Sequence, residues 1–168
     1  SVTAIGGGTV RDVVLDAPVF WLQDQSYLYS IFVAAFITIV WVNKNKDFPQ
    51  IALEIADALG LAFFVVMGVQ KALDYGVQDM TAVLMGTITC CFGGMIRDVL
   101  ARQSPMVLKS ELYATTCIFG GIVYTQSVNF SVNTEVAMIL SMLATLSLRL
   151  GAIKWGWSLP VFHHIKTK

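Results

Sequence analysis

The sequence predicts an all-α polytopic membrane protein, and three observations carry this prediction. Of the 168 residues, 56% are hydrophobic and only 13% are charged, whereas soluble domains carry about 25% charged residues. The apolar stretches have no polar face, which disfavours the alternative of a soluble helical domain. They also lack the apolar–polar alternation of membrane β-strands. The formal net charge of zero gives no reason to expect a nucleic-acid partner.

Six apolar stretches are candidates for membrane helices, because about 17–25 apolar residues span a bilayer. They are Val2 to about Leu15, Tyr27–Val42, Ile51 to about Leu73, Met80–Ala101, Leu112 to about Thr125, and Val136 to about Ile153. The first stretch is too short to span and is interrupted by glycines. Short polar connections join the stretches. The clearest is Asn43–Pro49, whose proline suits the start of a helix.

The distribution of basic residues predicts the orientation in the membrane. If the helices alternate in direction, the side of Asn43–Pro49 receives Lys44, Lys46, Arg102, Lys109, Lys154, Lys166 and Lys168, whereas the opposite side receives Lys71. Because cytoplasmic loops are enriched in lysine and arginine, we expect a multi-pass protein of the inner (cell) membrane with its C-terminus in the cytoplasm. The opposite side carries Asp16, Asp24, Asp74, Asp79 and Glu135. These acids either attract cations or are simply tolerated outside.

One sequence motif occurs twice. The segment Gly7–Val14 (GGTVRDVV) returns as Gly93–Leu100 (GGMIRDVL), and Pro18 or Pro105 follows each copy. The copies lie on helices that cross in opposite directions, which predicts two inverted three-helix repeats, as in duplicated transport folds. A single transmembrane domain then covers residues 1–168, with 1–42 as the remainder of repeat one, 51–126 as repeat two and 135–153 as a final helix. The first helix of repeat one would precede Ser1, which gives the intact protein seven spans.

The glycines of this motif predict a break in each of the two helices. Gly6, Gly7 and Gly8 lie in the first copy and Gly93 and Gly94 in the second, and each weakens a helix by about 1 kcal/mol relative to alanine. A broken helix is tolerated in hydrocarbon only where protein or a watery cavity surrounds it. Its freed carbonyl oxygens can coordinate a dehydrating cation. The alternative is that the glycines let helices pack closely; two symmetry-related breaks favour a permeation or binding site.

Charged residues inside the spans are costly and therefore indicate a structural or functional use. Because neighbouring residues diverge by about 100° around a helix, we expect pairing across the repeats, Arg11 with Asp98 and Arg97 with Asp12. These charges either belong to the ion pathway or brace the helices without touching the permeant ion. Asp57 is a candidate binding residue because it is an acid within a span.

Three further side chains are candidates for a role in permeation. Lys71 could gate the pathway by moving with voltage, or it could snorkel as an anchor at the end of its span. Thr87 and Thr89 could supply hydroxyl ligands to an ion. Hydroxyls in membrane helices also bond their own backbone, and this second interpretation stays open for both threonines.

The three cysteines do not predict a metal site. Cys90 and Cys91 are adjacent, Cys117 is distant, and the C-x-x-C pattern is absent, so we interpret them as small buried apolar residues. His163 and His164 lie in a basic tail that we expect to be solvated. No Ser/His/Asp or Cys/His constellation indicates an enzyme. The sequence therefore predicts a protein that is not an enzyme and has no cofactor or metal.

The repeated motif carries a family resemblance. The segments GGGTVRDVVLDAPVFW, GGMIRDVLARQSP and KSELYATTCIFGG resemble the prokaryotic trimeric intracellular cation (TRIC) channels, a family that also carries a glycine transporter label. The resemblance implies seven helices in two inverted repeats plus one, and a homotrimer with a pore in each protomer. It also implies that the pore helices are kinked at Gly6, Gly7, Gly8, Gly93 and Gly94. Phe92 stands where the first copy has Gly6, which implies a milder second kink.

The leading functional hypothesis is a passive channel for monovalent cations, with potassium or sodium as the permeant ion and potassium as the chief one. Its expected partners are two further copies of the chain and membrane lipids, one of which could remain bound. The alternative is a secondary transporter of a small zwitterion such as glycine, with helix N-termini holding its carboxylate and Asp57 its amine. A third hypothesis is a structural membrane protein without flux.

Overall fold

The computed structural model describes residues 2–44, 50–109 and 112–157, and these residues form helices and no strand. The helices are α1 (Val2–Val14), α2 (Phe20–Gln23), α3 (Ser26–Lys44), α4 (Gln50–Asp74), α5 (Asp79–Leu100), α6 (Met106–Lys109), α7 (Ala114–Asn129) and α8 (Thr134–Trp155). Each of the six predicted stretches corresponds to one of the six longer helices, which confirms the all-α fold. Most of Asn43–Pro49 and all of His163, His164, Lys166 and Lys168 lie outside the described residues.

Three of the helices are long and apolar enough to cross a bilayer. They are Ile51–Asp74 within α4, Asp79–Leu100 (α5) and Thr134–Trp155 (α8), with mean hydropathies of 2.0, 1.4 and 1.9. A helix of 22 residues is about 33 Å long, close to the ~30 Å hydrocarbon core of a bilayer. Large apolar side chains such as Phe32 and Phe36 remain exposed, each at 69%, as expected of a surface that faces lipid. The protein is therefore a polytopic membrane protein.

The buried core lies among α4, α5, α7 and α8. Small and branched side chains fill it, including Val65, Val69, Ala82, Cys117 and Ala137. α1 packs against α5. The described side chains of α3, residues 26–40, are all at least partly exposed, so this helix lies outside the core.

The two copies of the motif meet where α1 crosses α5. A Cβ atom built on Gly7 would overlap the carbonyl oxygen of Thr89, and one built on Gly93 would overlap the carbonyl oxygen of Thr3. Gly93 lies 86 positions after Gly7, and Thr89 lies 86 positions after Thr3. Thr3, near the start of α1, faces Gly93, which comes later in α5 than Thr89. The two helices therefore run antiparallel. The contact therefore has the local two-fold symmetry that an inverted repeat requires.

The structure corrects the predicted helix breaks. Regular helix continues through Gly6, Gly7 and Gly8 in α1 and through Gly93 and Gly94 in α5, so the backbone carbonyl groups there are not freed by a break. The physical reason is that residues without a side chain let two helix backbones approach closely. The alternative interpretation, close packing, is the one that the structure shows.

Each motif copy ends with the same hydrogen bond. The Asp12 Oδ2 atom accepts the backbone N–H of Phe20 at 2.9 Å, and the Asp98 Oδ2 atom accepts the backbone N–H of Met106 at 2.9 Å. These two N–H groups open α2 and α6, the four-residue helices that the sequence did not predict. The repeated aspartates therefore hold the turn that follows each motif helix.

Candidate functional site

Two cavities are lined by residues of both α1 and α4. The first, of about 170 Å³, is lined by Thr3, Asp57, Gly60, Phe64, Gly94 and Arg97 among others, and we call it the Asp57 cavity. The second, of about 340 Å³, is lined by Gly8, Arg11, Met67, Gln70, Lys71 and Asp74 among others, and we call it the Lys71 cavity. Their linings follow one another along α4. Gly8 and Gly94 occupy equivalent repeat positions, one in each cavity.

A charged group of two carboxylates and one guanidinium borders the Asp57 cavity, and two of its members, Asp57 and Arg97, line it. Arg97 Nη1 lies 3.2 Å from Asp57 Oδ1, and Arg97 Nε lies 2.8 Å from Asp98 Oδ1. The side chains of Asp57 and Asp98 are only 5% and 8% exposed. The group therefore has an excess of one negative charge in a poorly hydrated place, where charges interact strongly.

One oxygen of Asp57 has no protein partner in the part of the chain that the structure describes. Its Oδ2 atom is buried and accepts no hydrogen bond there. Gly94 makes room beside this carboxylate, because a Cβ atom at that position would lie 3.4 Å from Asp57 Oδ1 and 3.0 Å from the hydroxyl of Tyr113. A buried anionic oxygen is costly without a partner, and a cation or water in the cavity would supply one.

The Lys71 cavity borders a second charged group, in which two cations surround Asp12, and the carboxylate of Asp74 also lines this cavity. Arg11 Nη2 and Lys71 Nζ lie 2.7 and 2.9 Å from Asp12 Oδ1. Asp12 is fully buried, whereas the Lys71 side chain is 25% exposed. Lys71 therefore forms an ion pair that points into the protein, so the snorkelling interpretation was wrong for this conformation.

The predicted cross-repeat pairing was also wrong. Arg11 Nε donates to Asp12 Oδ1 at 2.8 Å, and Arg97 Nε donates to Asp98 Oδ1 at the same distance. The angular divergence of adjacent helix positions is overcome because the arginine side chain is long enough to fold back onto its neighbour. The third member of each group comes from α4, as Lys71 in one and Asp57 in the other.

The two threonines bond their own helix. Thr87 Oγ1 donates to the carbonyl of Val83 at 2.9 Å, and Thr89 Oγ1 donates to the carbonyl of Met85 at 2.6 Å. Thr89 is buried at 3% exposure and packs where Gly68 of α4 approaches. The structure supports the backbone interpretation of both hydroxyls, since each proton is already used.

A cluster that the sequence analysis missed lies next to the Asp57 cavity. The sulfur atoms of Cys90, Cys91 and Cys117 all lie within 4.8 Å of one another, and the three side chains are buried. Cys90 also lines the Asp57 cavity. No spacing rule could have found this cluster, because it depends on how α7 packs against α5.

Outside the membrane-spanning helices, Asp24 holds the start of α3. Its Oδ1 atom accepts the backbone N–H of Ser26 at 2.8 Å. Hydrogen bonds from the hydroxyl and the backbone of Ser26 lower the pKa of Asp24 below its ordinary value. A carboxyl whose pKa is lower in the folded state stabilises that state at neutral pH, and this contribution is lost as the pH falls through the folded-state pKa.

Comparisons with known proteins give a consistent set of relatives. The family model described as Glycine transporter matches residues 1–43 and 54–128. The chain is 50% identical over 163 residues to a UPF0126 membrane protein of Vibrio cholerae, covering 96% of this chain and 68% of that protein. It is 49% identical over 163 residues to the UPF0126 inner membrane protein YadS of Escherichia coli K12, covering 96% and 79%.

A solved structure has the same fold. The TRIC trimeric intracellular cation channel orthologue from Rhodobacter sphaeroides superposes with a TM-score of 0.85 at 33% sequence identity, over 93% of this chain and 80% of that one. Similarity to membrane proteins and to a channel indicates a role other than catalysis.

Proposed function

The chain belongs to the TRIC family of cation channels, and from this premise we propose that it conducts monovalent cations, chiefly potassium, through a pathway in each protomer. It is a multi-pass protein of the inner membrane, as its relatives and its apolar helices indicate. The proposed pathway follows the two cavities along α4. The observation that carries the proposal is the buried Oδ2 atom of Asp57, which lacks a hydrogen-bond partner among the described residues.

The Asp57 cavity is suited to a cation. Asp57 and Arg97 line it, and Arg97 is also paired with Asp98 behind the wall, so the three groups together carry one negative charge that attracts positive ions. A volume of about 170 Å³ has room for a monovalent ion with several waters, since each water occupies about 30 Å³ in the liquid. The cation would therefore keep part of its hydration shell and gain the unpaired carboxylate oxygen.

The cavities are close enough to form one pathway. Phe64 lines the Asp57 cavity and Met67 lines the Lys71 cavity, and three residues of helix correspond to about 4.5 Å. Gly8 and Gly94 contribute to the walls without a side chain that would fill them. In this proposal the glycines create space beside a continuous helix, in place of the carbonyl ligands that the sequence predicted.

Lys71 is the proposed gate at the second cavity. Its ammonium group is held by Asp12 in a cavity that Arg11 and Asp74 also line, so the two cations are balanced by two acids. A cation that leaves the Asp57 cavity would still meet the positive ammonium group of Lys71. Conduction would require the Lys71 side chain to move away, and a charge that moves within the membrane responds to voltage.

The alternative of a zwitterion transporter uses the same cavity. The guanidinium of Arg97 could bind a carboxylate and Asp57 an amine. However, both acids already bind Arg97 in the structure, so a substrate would have to displace one of them. This is a reason to prefer the channel.

Recording from the purified protein in planar bilayers tests the proposal. We expect stepwise currents whose reversal potential in a KCl gradient follows potassium rather than chloride. A unit charge at about 8 Å contributes roughly 2 kcal/mol at an effective dielectric constant of about 20, so Asp57→Asn should lower the potassium current about 30-fold. Asp79→Asn is the matched control, because Asp79 is bound by Asn129 and does not line either cavity. Glycine uptake without unitary currents would support the transporter instead.

We further propose that three copies of the chain assemble and that lipid covers the remaining apolar surface. The solved relative is named as a trimeric channel. Exposed apolar side chains such as Leu140 and Leu143 on α8 offer surface for a neighbouring protomer or for lipid. Light scattering of the protein–detergent complex should give the mass of three chains, and a monomer would contradict this proposal.

A further inference from the structure

We propose that Cys90, Cys91 and Cys117 form a binding site for a soft monovalent metal ion, Cu(I). Their sulfur atoms all lie within 4.8 Å of one another, and the Sγ atoms of Cys90 and Cys91 are 3.8 Å apart. α5 supplies two of the thiols and α7 the third, so the tertiary fold assembles the site. This proposal concerns metal binding and does not depend on the proposed channel function.

The spacing of the sulfur atoms fits three-fold coordination. With metal–sulfur bonds of about 2.3 Å, three sulfurs around one metal lie about 4.0 Å apart. The described distances, 3.8 Å for one pair and at most 4.8 Å for all three, need only small side-chain adjustments to reach this geometry. The thiols therefore surround a point where a metal could bind without any movement of the helices.

The hydrogen bonds that hold the thiols are weak. Cys90 Sγ donates to the carbonyl of Thr87 at 3.2 Å, and Cys117 Sγ donates to the carbonyl of Tyr113 at 3.6 Å. A thiol is a weak donor, so little is lost when the metal replaces these bonds. Binding forms three metal–sulfur bonds, and each thiol that binds as a thiolate breaks its S–H bond and releases the proton to water.

The metal can reach the thiols, and the released protons can leave them, through the Asp57 cavity. Cys90 lines this cavity together with Asp57 and Arg97, so the cluster is buried and yet adjoins a space large enough for water. Tyr113 links the cluster to a buried cation. Its carbonyl accepts the Cys117 thiol, and the guanidinium carbon of Arg149, a residue that is 3% exposed, lies 4.7 Å from the centre of its ring.

The thiols of α5 are not shared by its counterpart helix α1. The residues 86 positions before Cys90 and Cys91 are Ala4 and Ile5, at the offset that the glycines and aspartates of the motif keep. The thiols therefore supply a chemistry that the motif helix of the first repeat does not have.

Cu(I) fits this donor set better than Zn²⁺. Thiolates are soft ligands that select Cu(I), zinc and iron–sulfur clusters. Structural zinc sites are almost always four-coordinate, and the cluster offers three sulfurs and no fourth side-chain donor among the described residues.

A titration of the purified, reduced protein with Cu(I) tests the proposal. Under anaerobic conditions and in competition with a bicinchoninate-type chelator, we expect one Cu(I) per chain. X-ray absorption should show about three sulfur atoms at about 2.3 Å. Cys117→Ser and Cys91→Ser should each weaken binding by about 100-fold or more, since even indirect ligand partners contribute 10–100-fold.

Two controls keep the outcome decisive. The His163→Ala/His164→Ala variant removes both histidines and should bind Cu(I) as tightly as the unaltered chain. Circular dichroism and gel filtration of the serine variants show whether they keep the fold, and the X-ray absorption of the unaltered protein is decisive even if they do not. Copper bound through nitrogen or oxygen, copper lost with the histidines, or binding of Zn²⁺ in preference to Cu(I) would each overturn the proposal.

Discussion

The ammonium group of Lys71 lies 2.9 Å from Oδ1 of Asp12, a residue with no exposed surface. In the other repeat, the third charge is Asp57, whose Oδ1 atom lies 3.2 Å from Nη1 of Arg97. Lys71 and Asp57 are both on α4, fourteen positions apart, or about 21 Å along the helix axis. α4 therefore gives each arginine–aspartate pair a third charge, positive at one end and negative at the other, and this asymmetry is the basis of the predictions on charge.

Replacing Lys71 should increase cation conduction. Lys71→Gln removes a positive charge from the Lys71 cavity, while Asp12 keeps its bond to Arg11 and the fold is retained. We expect a larger potassium current or a higher open probability, and a weaker dependence on voltage, in single-channel recordings. Lys154→Gln is the matched control, because Lys154 lies over Trp155 near the end of α8, away from both cavities. If the two variants behave alike, Lys71 is not the gate.

Replacing Asp12 should destabilise the protein. Asp12→Asn leaves Arg11 buried without its anionic partner and Lys71 without its ion pair, and removing one partner of a buried pair costs about 3–5 kcal/mol. Thermal unfolding followed by circular dichroism in detergent measures the effect. Asp16→Asn is the control, since Asp16 is exposed and Asn also tolerates its left-handed backbone (φ 50°). Equal stability of the two variants would mean that the Asp12 ion pairs contribute little.

Adding one methyl group at the α1–α5 crossing should also destabilise the fold. A Cβ atom on Gly7 would overlap the carbonyl oxygen of Thr89, which belongs to a helix backbone and cannot move alone. We expect Gly7→Ala to lower the melting temperature of the protein below that of the control variant, and to reduce the yield of purified protein. Gly60→Ala is the control, because its Cβ atom would lie 4.0 Å from its nearest neighbour, Phe64. A Gly7→Ala protein as stable as the control would show that the helices separate easily at this point.

Much of the fold could be predicted because the features that determine it are contiguous in the sequence. The six apolar stretches correspond to the six longer helices, since an apolar stretch in lipid must satisfy its backbone hydrogen bonds internally, as a helix does. The repeat was equally visible, and the matched hydrogen bonds from Asp12 and Asp98 show how closely its two copies agree.

The corrections concern contacts between helices. A run of glycines can mark either a break or a close approach, and only the position of Thr89 opposite Gly7 decides between them. The arginine partners depended on a side chain folding back onto its neighbour, and the thiol cluster depended on α7 packing against α5. Each of these features depends on a residue far along the chain or on a side-chain rotamer. Residue spacing in the sequence encodes neither of these two causes.

The orientation in the membrane is testable with two added cysteines. Gln78 lies in the exposed loop before α5 and Gln103 in the exposed loop after it, so the 22 residues of α5 place them on opposite sides. The native thiols are buried, so the unaltered chain provides the blank. Because the basic residues predict a cytoplasmic C-terminus, an impermeant maleimide should label Gln78→Cys in intact cells. It should label Gln103→Cys only after the membrane is permeabilised. The reverse pattern would invert the proposed orientation and place the Lys71 cavity on the cytoplasmic side, and labelling of both in intact cells would mean that the chain inserts in two directions.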